Sequence, residues 1–320
     1  MRSKNLPALA VAALVAAVSA PARAEVQLHT FQAGERARAS DVNGNFNNLK
    51  VAVEAAERRN TELTNRIRDL EAAIANLRGL NGVLSIETLN GAKTVRLTGV
   101  NLQVVNGLNR TDTVNGTGNL IVGYDEANTF TTKPICSIAH SIAGLELNDE
   151  AACLSAGGIF SVQQKTGSHN LVMGLANGYS SFGGIVSGRF NYINEMFAAA
   201  VAGVDNRASG RFSGIFGGQG HLTQESGTTV LGGIGAQARG HLATVVGGAG
   251  NVATGENATV TGGERNTASG RTSYAAGGLI NTASGQSSST VGGRNNTVSG
   301  LRNSNFGGDS RNVSAAQPLP

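Results

Sequence analysis

The chain has 320 residues, 45 of them glycine, with four tyrosines, no tryptophan and a formal charge of +4. Nucleic-acid binding is not expected, because the sequence contains no basic patch interleaved with aromatic residues. The scarcity of aromatic rings also disfavours an enzyme that binds sugars on aromatic platforms.

Residues 1–24 have the three parts of a secretory signal peptide. Arg2 and Lys4 give a positive start, an apolar run extends from Ala8 to Val18, and Ala22-Arg23-Ala24 is a small-x-small cleavage site. The run is too short to span a membrane, so we expect no integral membrane segment in the mature chain. Loss of these three basic residues lowers the formal charge from +4 to +1. The expected location is secreted, at the cell surface or in the periplasm.

Residues 25–48 are predicted to be a short lead-in segment, with Ser40 or Asp41 as the N-cap of a following helix. From residue 49 to residue 80, apolar residues alternate at spacings of four and three, the pattern of a coiled coil. The predicted core positions are Leu49, Val53, Ala56, Asn60, Leu63, Ile67, Leu70, Ile74 and Leu77.

The residues of this coiled coil do not decide how many helices it contains. Asn60 at a core position either fixes the register or is a solvated site, and isoleucine at a with leucine at d favours two strands. Arg66 and Glu71, by contrast, fit the Arg-h-x-x-h-Glu motif of short trimeric coiled coils, in which the arginine pairs with the glutamate of the next chain.

Residues 81–165 are predicted to be an intermediate β domain. Val83–Leu89 and Val95–Val105 alternate like strands around an Asn90-Gly91 turn. Cys136 and Cys153 form an even pair in an exported chain, which predicts a disulfide. A metal site with His140 is the alternative, but its spacing is poor for zinc.

Residues 166–313 carry a fifteen-residue repeat, marked by glycine pairs from Gly217-Gly218 to Gly307-Gly308. Such a short period predicts one turn of a β-solenoid per repeat. An asparagine recurs at the same period and either forms a ladder of side-chain amides or tolerates a turn geometry. The asparagine column is Asn191, Asn206, Asn251, Asn266, Asn281 and Asn296. Residues 314–320 form a tail.

Two adjacent apolar residues precede most of the glycine pairs, for example Val230-Leu231 and Val245-Val246. Neighbours along a strand point to opposite faces, so one residue fills the solenoid interior and the other faces outward. We expect the outward face to be covered by another copy of the chain. The alternative is that both residues are β-formers and one is simply exposed.

Catalysis has little support in the sequence. Asp125-Glu126 and Asp149-Glu150 are adjacent carboxylates in polar loops, and no G-x-S-x-G, H-E-x-x-H or Walker motif is present. The prediction is a protein without catalytic residues, cofactor or metal.

The stretch from Gly248 to Gly263 resembles the head repeat of YadA-like trimeric autotransporter adhesins. The resemblance implies a left-handed parallel β-roll with three chains around an axis. The period here is fifteen where that family usually shows fourteen, and the family's C-terminal membrane anchor is not expected. Export would therefore follow the signal-peptide route.

We therefore expect a mainly β protein: a coiled-coil helix, a small β domain and a β-solenoid head, assembled as a homotrimer. The expected function is that of a non-enzymatic, adhesin-like fibre that binds a host or environmental surface, a matrix protein or a glycan. The alternatives are a phage-derived or structural fibre and a β-solenoid carbohydrate-active enzyme. An ice-binding roll is disfavoured, because Tyr274 and Ser289 interrupt the threonine row Thr229, Thr244 and Thr259.

Overall fold

The computed structural model describes residues 26–80, 82–127, 134–137, 149–162 and 164–314. The predicted signal peptide, Glu25, His140 and most of the tail lie outside these residues, and so does the side chain of Leu77. The chain divides after Leu102 into two compact units, each of which is described separately below.

The first unit contains one long helix, α1 (Ala39–Arg78). The helix begins ten residues before the predicted coiled-coil segment, because its first turns are held by polar rather than apolar contacts. Asn45 exchanges two hydrogen bonds with the backbone of His29, and the Asn48 amide donates to the carbonyl of Gln27. These hydrogen bonds hold the lead-in segment against the first turns of α1. The heptad pattern begins only at Leu49 and so does not predict these turns.

A two-stranded antiparallel hairpin follows, formed by β1 (Leu84–Leu89) and β2 (Ala92–Leu97). Asn90 and Gly91 both have positive φ angles, of 50° and 82°, as the tight turn predicted from this dipeptide requires. The second strand ends at Leu97 rather than continuing to Val105 as predicted.

The second unit begins with β3 (Leu120–Val122) and then an insertion. The insertion contains β4 (Ile135–Cys136), α2 (Glu150–Ser155) and β5 (Phe160–Ser161). A disulfide joins Cys136 to Cys153, 17 residues apart, and both cysteines are fully buried. The predicted segment 81–165 is thus divided: the hairpin belongs to the first unit, and β3 pairs with a solenoid strand.

The prediction of a parallel β-solenoid is confirmed, with about ten turns. The even-numbered strands from β6 to β24 join β3 in an eleven-stranded first sheet, and the odd-numbered strands from β7 to β25 form a ten-stranded second sheet. In chain order the strands are β6 (Leu171–Leu175), β7 (Gly178–Tyr179), β8 (Ile185–Arg189), β9 (Tyr192–Ile193), β10 (Ala199–Val201), β11 (Arg207–Ala208), β12 (Gly214–Phe216), β13 (Leu222–Thr223), β14 (Thr229–Leu231), β15 (Gln237–Ala238), β16 (Thr244–Val246), β17 (Val252–Ala253), β18 (Thr259–Thr261), β19 (Thr267–Ala268), β20 (Tyr274–Ala276), β21 (Thr282–Ala283), β22 (Ser289–Val291), β23 (Thr297–Val298), β24 (Ser304–Phe306) and β25 (Asn312–Val313).

The step between stacked strands changes once along the solenoid. Leu171 pairs with Ile185 and Ile185 with Ala199, which are steps of fourteen residues. Ala199 then pairs with Gly214, and every later step is fifteen. Because of this change, the pair Met173-Gly174 lies one residue away from the position given by counting back in steps of fifteen from the later glycine pairs.

The interior is filled by small side chains, one from each strand. From β10 to β24 the middle residue of each three-residue strand points inward, and from β7 to β23 so does the second residue of each two-residue strand. Toward the C-terminal coils the apolar residues give way to polar ones. Val245 and Val260 are followed in the same column by Ala275, Thr290 and Asn305, all of them buried.

Candidate interaction surfaces

The asparagine column forms a buried ladder inside the solenoid, and its hydrogen bonds run from side chain to backbone. Asn266 is representative: its Oδ1 accepts a hydrogen bond from the backbone N–H of Asn281 at 2.9 Å. Its Nδ2 donates to the carbonyls of Gly277 and Gly278 at 3.0 and 3.2 Å. Each asparagine therefore ties the glycine turn of the next coil to the next member of the column.

Only the last step adds a direct amide contact, from Asn296 Nδ2 to Asn281 Oδ1 at 3.0 Å. The same side-chain-to-backbone bond occurs at Asn191, Asn206, Asn251, Asn281 and Asn296. The prediction was a ladder in which side-chain amides bond to one another. In most coils the side-chain amide bonds instead to backbone N–H and carbonyl groups of the next coil.

His221 and Ala236 occupy the asparagine column in two consecutive coils. The His221 backbone N–H donates to Asn206, and its Nδ1 accepts from the Ala236 N–H at 3.0 Å. Its ring is buried, and burial lowers its pKa below the ordinary value of 6.5. His221 therefore acts as a neutral acceptor in place of an amide, whereas the methyl group of Ala236 cannot accept a bond.

The first acceptor of the ladder is the carboxylate of Asp125, which the sequence analysis placed in a polar loop without a structural role. Asp125 is buried, and its Oδ1 accepts from the backbone N–H of Asn177 at 2.9 Å, whose own Oδ1 accepts from the Asn191 N–H at 3.1 Å. Lys165 Nζ lies 2.8 Å from the Asp125 Oδ2. Asp149 caps α2 by accepting from the Ala152 N–H at 2.7 Å. One carboxylate of each candidate pair thus has a structural partner.

The outer face of the first sheet carries exposed apolar side chains. The third residues of the even-numbered strands from β10 to β24 pair in register, and we call them the outer row. Phe216, Leu231 and Val246 within it are 37–49% exposed. The complete row is Val201, Phe216, Leu231, Val246, Thr261, Ala276, Val291 and Phe306.

The outer face of the second sheet differs in two ways. Near the N-terminal end the insertion covers it: Asn194 Nδ2 donates to the Cys136 carbonyl at 2.9 Å, and the Ser180 hydroxyl donates to the carbonyl of Ser137. Farther along, its outward positions become hydroxyl-bearing, as at Thr267, Thr282 and the serines that follow each strand. The apolar surface is therefore confined mainly to the first sheet.

The helix α1 also exposes its apolar stripe. Within the single chain, Leu49, Val53, Leu63, Ile67, Leu70 and Ile74 are 42–55% exposed. Ala56 and Asn60 on the same stripe are exposed as well, and so is Glu71, whereas Arg66 is half-buried. Packing within the first unit therefore leaves the predicted coiled-coil core open to solvent.

The described part of the chain shows no cluster of side chains typical of a metal site or a catalytic site. No group of three or more His, Cys, Asp or Glu side chains there could hold a metal ion. A cavity of about 640 Å³ is lined by residues 103–107 and 109–111 together with His169. Both ring nitrogens of His169 are occupied by the backbone of Asn106 and Thr111. Neither described helix is long and apolar enough to cross a bilayer.

A comparison with protein-family models gives no match for this chain, and neither does a search of curated proteins.

Proposed function

We propose that the protein is a homotrimeric, non-enzymatic fibre that attaches to a surface through its β-solenoid. The observation that carries the proposal is the outer row of the first sheet, where Phe216, Leu231 and Val246 remain exposed in a single chain. Exposed apolar side chains stacked in neighbouring strands, as here, mark an interaction site rather than a solvated surface. The partner that best fits it is another copy of the chain.

Self-association is supported independently by the first unit. A heptad stripe is complementary to the same stripe on a parallel copy, because knobs at a and d fit the holes between identical residues. The hairpin adds Ile86 and Val95, which pair across β1 and β2 and are both exposed. Both units of the chain therefore expose apolar residues that a second copy could cover.

The area of the outer face of the first sheet also supports an interface between copies. Eleven strands about 4.8 Å apart extend roughly 50 Å, and the strand with its flanking turns spans about 17 Å. The product is about 850 Å², close to the roughly 800 Å² that each partner contributes to one stable pairwise interface. In a trimer this face is shared between two neighbours, and the heptad stripe of α1 contributes further area. Three copies are favoured by Arg66 and Glu71 and by the resemblance of the repeat to trimeric adhesin heads.

The adhesive role rests on the surface that self-association leaves free. The second sheet presents stacked rows of threonine and serine, which offer many equivalent weak contacts to a matrix protein or a glycan on a host or environmental surface. Three copies in one particle convert such contacts into useful avidity. The predicted signal peptide supplies export to the cell surface or beyond.

The proposal is tested with the purified mature chain on matrix-protein and glycan panels, measured by surface-based binding. The wild type is expected to be retained on at least one surface. Leu231→Asp is expected to lose both trimeric mass and retention while keeping its β circular dichroism, whereas the second-sheet variant Gln237→Asp keeps trimeric mass. Binding by the monomeric variant equal to that of the wild type, or no binding by either, contradicts the adhesive role.

A further inference from the structure

Two columns of outward side chains form the outer face of the second sheet from β11 onward. One column holds the first residue of each strand, and the other holds the residue directly after each strand. The first column is Arg207, Leu222, Gln237, Val252, Thr267, Thr282, Thr297 and Asn312. The second column is Ser209, Gln224, Arg239, Thr254, Ser269, Ser284, Ser299 and Ser314. Neither column contains an aspartate or a glutamate, so every charge that the two columns carry is positive.

Arg239 is the residue of this face whose side chain lacks a partner. Its Nε is buried and has no hydrogen-bond partner among the described residues. None of the ion pairs formed by those residues includes Arg239. The unpaired hydroxyls of Ser288 and Thr290 face the interior, whereas Arg239 lies on an outer face. A desolvated guanidinium donor is unfavourable without an acceptor, and at an outer face that acceptor can come from a ligand.

Amide side chains flank Arg239 on two sides. Gln237 lies on the same face of the same coil, because Ala238 between them points inward and is fully buried. Gln224 occupies the column of Arg239 one coil earlier, where its backbone N–H donates to the Ala238 carbonyl at 3.1 Å. Amide and guanidinium groups together offer several N–H donors. Such donors can converge on one negatively charged oxygen group.

A second guanidinium lies on the same face, at Arg207. Arg207 pairs with Leu222 and Leu222 with Gln237 in register, so Arg207 lies two coils, or about 10 Å, before Gln237. Its Nε donates to the Ser209 hydroxyl at 3.0 Å, which holds the side chain along the sheet. An extended polyanion lying along the stack would therefore pass over both positive charges.

The acidic residues of these coils lie in the corners beside the face. Asp205 has a positive φ angle of 56° in one corner, and the carbonyl of Glu225 accepts from a turn hydroxyl in the opposite corner. Glu195 pairs with Arg211 at 3.4 Å. The face between the corners thus keeps the positive charge of Arg239 without a carboxylate in ion-pair contact.

We propose that this face binds an anionic polysaccharide and that Arg239 holds one of its carboxylate or sulfate groups. The planar guanidinium suits both groups, because two of its N–H donors can bind two oxygens side by side. The threonines and serines of the later coils can bind hydroxyls of the same polysaccharide, and three copies of the chain provide three such faces. The inference rests on the proposed adhesive function and names the class of glycan that the second sheet takes.

Retention of the mature chain on immobilised polysaccharides tests the inference. Heparin is the sulfated probe, polygalacturonate the carboxylated probe and dextran the neutral probe. We expect the wild type to be retained on at least one anionic probe, with weaker retention as the salt concentration rises. Arg239→Gln should weaken the apparent affinity about tenfold or more, since hydrogen bonds to charged groups are among the strong ones.

Two further variants separate this site from a general effect of charge. Gln237→Asp places a carboxylate beside Arg239 and should weaken binding at least as much as Arg239→Gln. Arg294→Gln removes the same charge from an exposed corner, and it should bind within about twofold of the wild type. Circular dichroism and sedimentation confirm that each variant keeps its β structure and trimeric mass.

Wild-type affinity of folded Arg239→Gln or Gln237→Asp for the anionic probe overturns the inference, and so does an equal loss in Arg294→Gln. Retention on dextran or a matrix protein with none on either anionic probe also overturns it, while the proposed adhesive function stands. A wild type that binds no surface at all overturns both.

Discussion

The buried ladder makes Asn266→Ala the most informative single substitution. The side chain is fully buried, and its removal leaves the Asn281 N–H without its acceptor. It also removes one hydrogen bond to each of the carbonyls of Gly277 and Gly278, which keep the Asn281 amide and the Glu264 N–H as donors. An unsatisfied buried donor costs about 1–3 kcal/mol, and each lost hydrogen bond about 1 kcal/mol more. We therefore expect the free energy of unfolding to fall by about 3 kcal/mol.

The reverse change is available in the same column. Ala236→Asn restores an amide that can accept from the Asn251 N–H and donate to the next glycine turn, and we expect a gain of about 1 kcal/mol. Urea denaturation followed by circular dichroism at fixed protein concentration measures both variants. Gln286→Ala, which removes an exposed amide, is the matched control and should change stability by less than about 0.5 kcal/mol. If Asn266→Ala costs no more than this control, the ladder does not stabilise the solenoid.

Three further predictions concern the interior and the outer row. Val245→Asp buries an unpaired charge and should abolish the β circular dichroism spectrum, whereas Val246→Asp should keep that spectrum and lose trimeric mass; two variants that stay folded and associated contradict the two-faced strand. Because burial lowers the pKa of His221, the unfolded chain binds the proton more tightly, and stability should decline as the pH falls below about 6.5. His221→Asn should remove that decline in denaturation curves recorded between pH 7 and pH 5, roughly the range over which histidine titrates. Thr290→Val removes a buried hydroxyl without a hydrogen-bond partner and should raise the urea midpoint, with a gain of about 1 kcal/mol; an unchanged or lower midpoint shows that the hydroxyl is satisfied.

The repeating part of the fold could be predicted because its physical constraints recur at one period. Glycines in tight turns, a buried asparagine and small inward residues each mark every coil, so the strands around Val245 and Val260 follow from counting. The same counting could not place β3, because 51 residues separate Leu120 from its partner Leu171. Parallel pairing across an insertion has no local signal in the sequence.

The candidate surfaces were only partly visible in the sequence. The apolar pairs indicated an outward row, but the stack of Phe182, Phe197 and Phe212 was missed because successive members are fifteen residues apart, among mostly small side chains. A search for large residues that recur at the fifteen-residue period could have found it. The difference between the two glycines of each pair needed coordinates, since they look identical in sequence and differ only in what surrounds them.

The number of copies in the native particle tests the central claim most directly, namely that sister chains cover the outer face of the first sheet. Sedimentation velocity on residues 25–320, oxidised and reduced, measures it without any substitution. We predict a single species with three times the mass of one chain. A compact, well-folded monomer across the accessible concentration range would contradict the account.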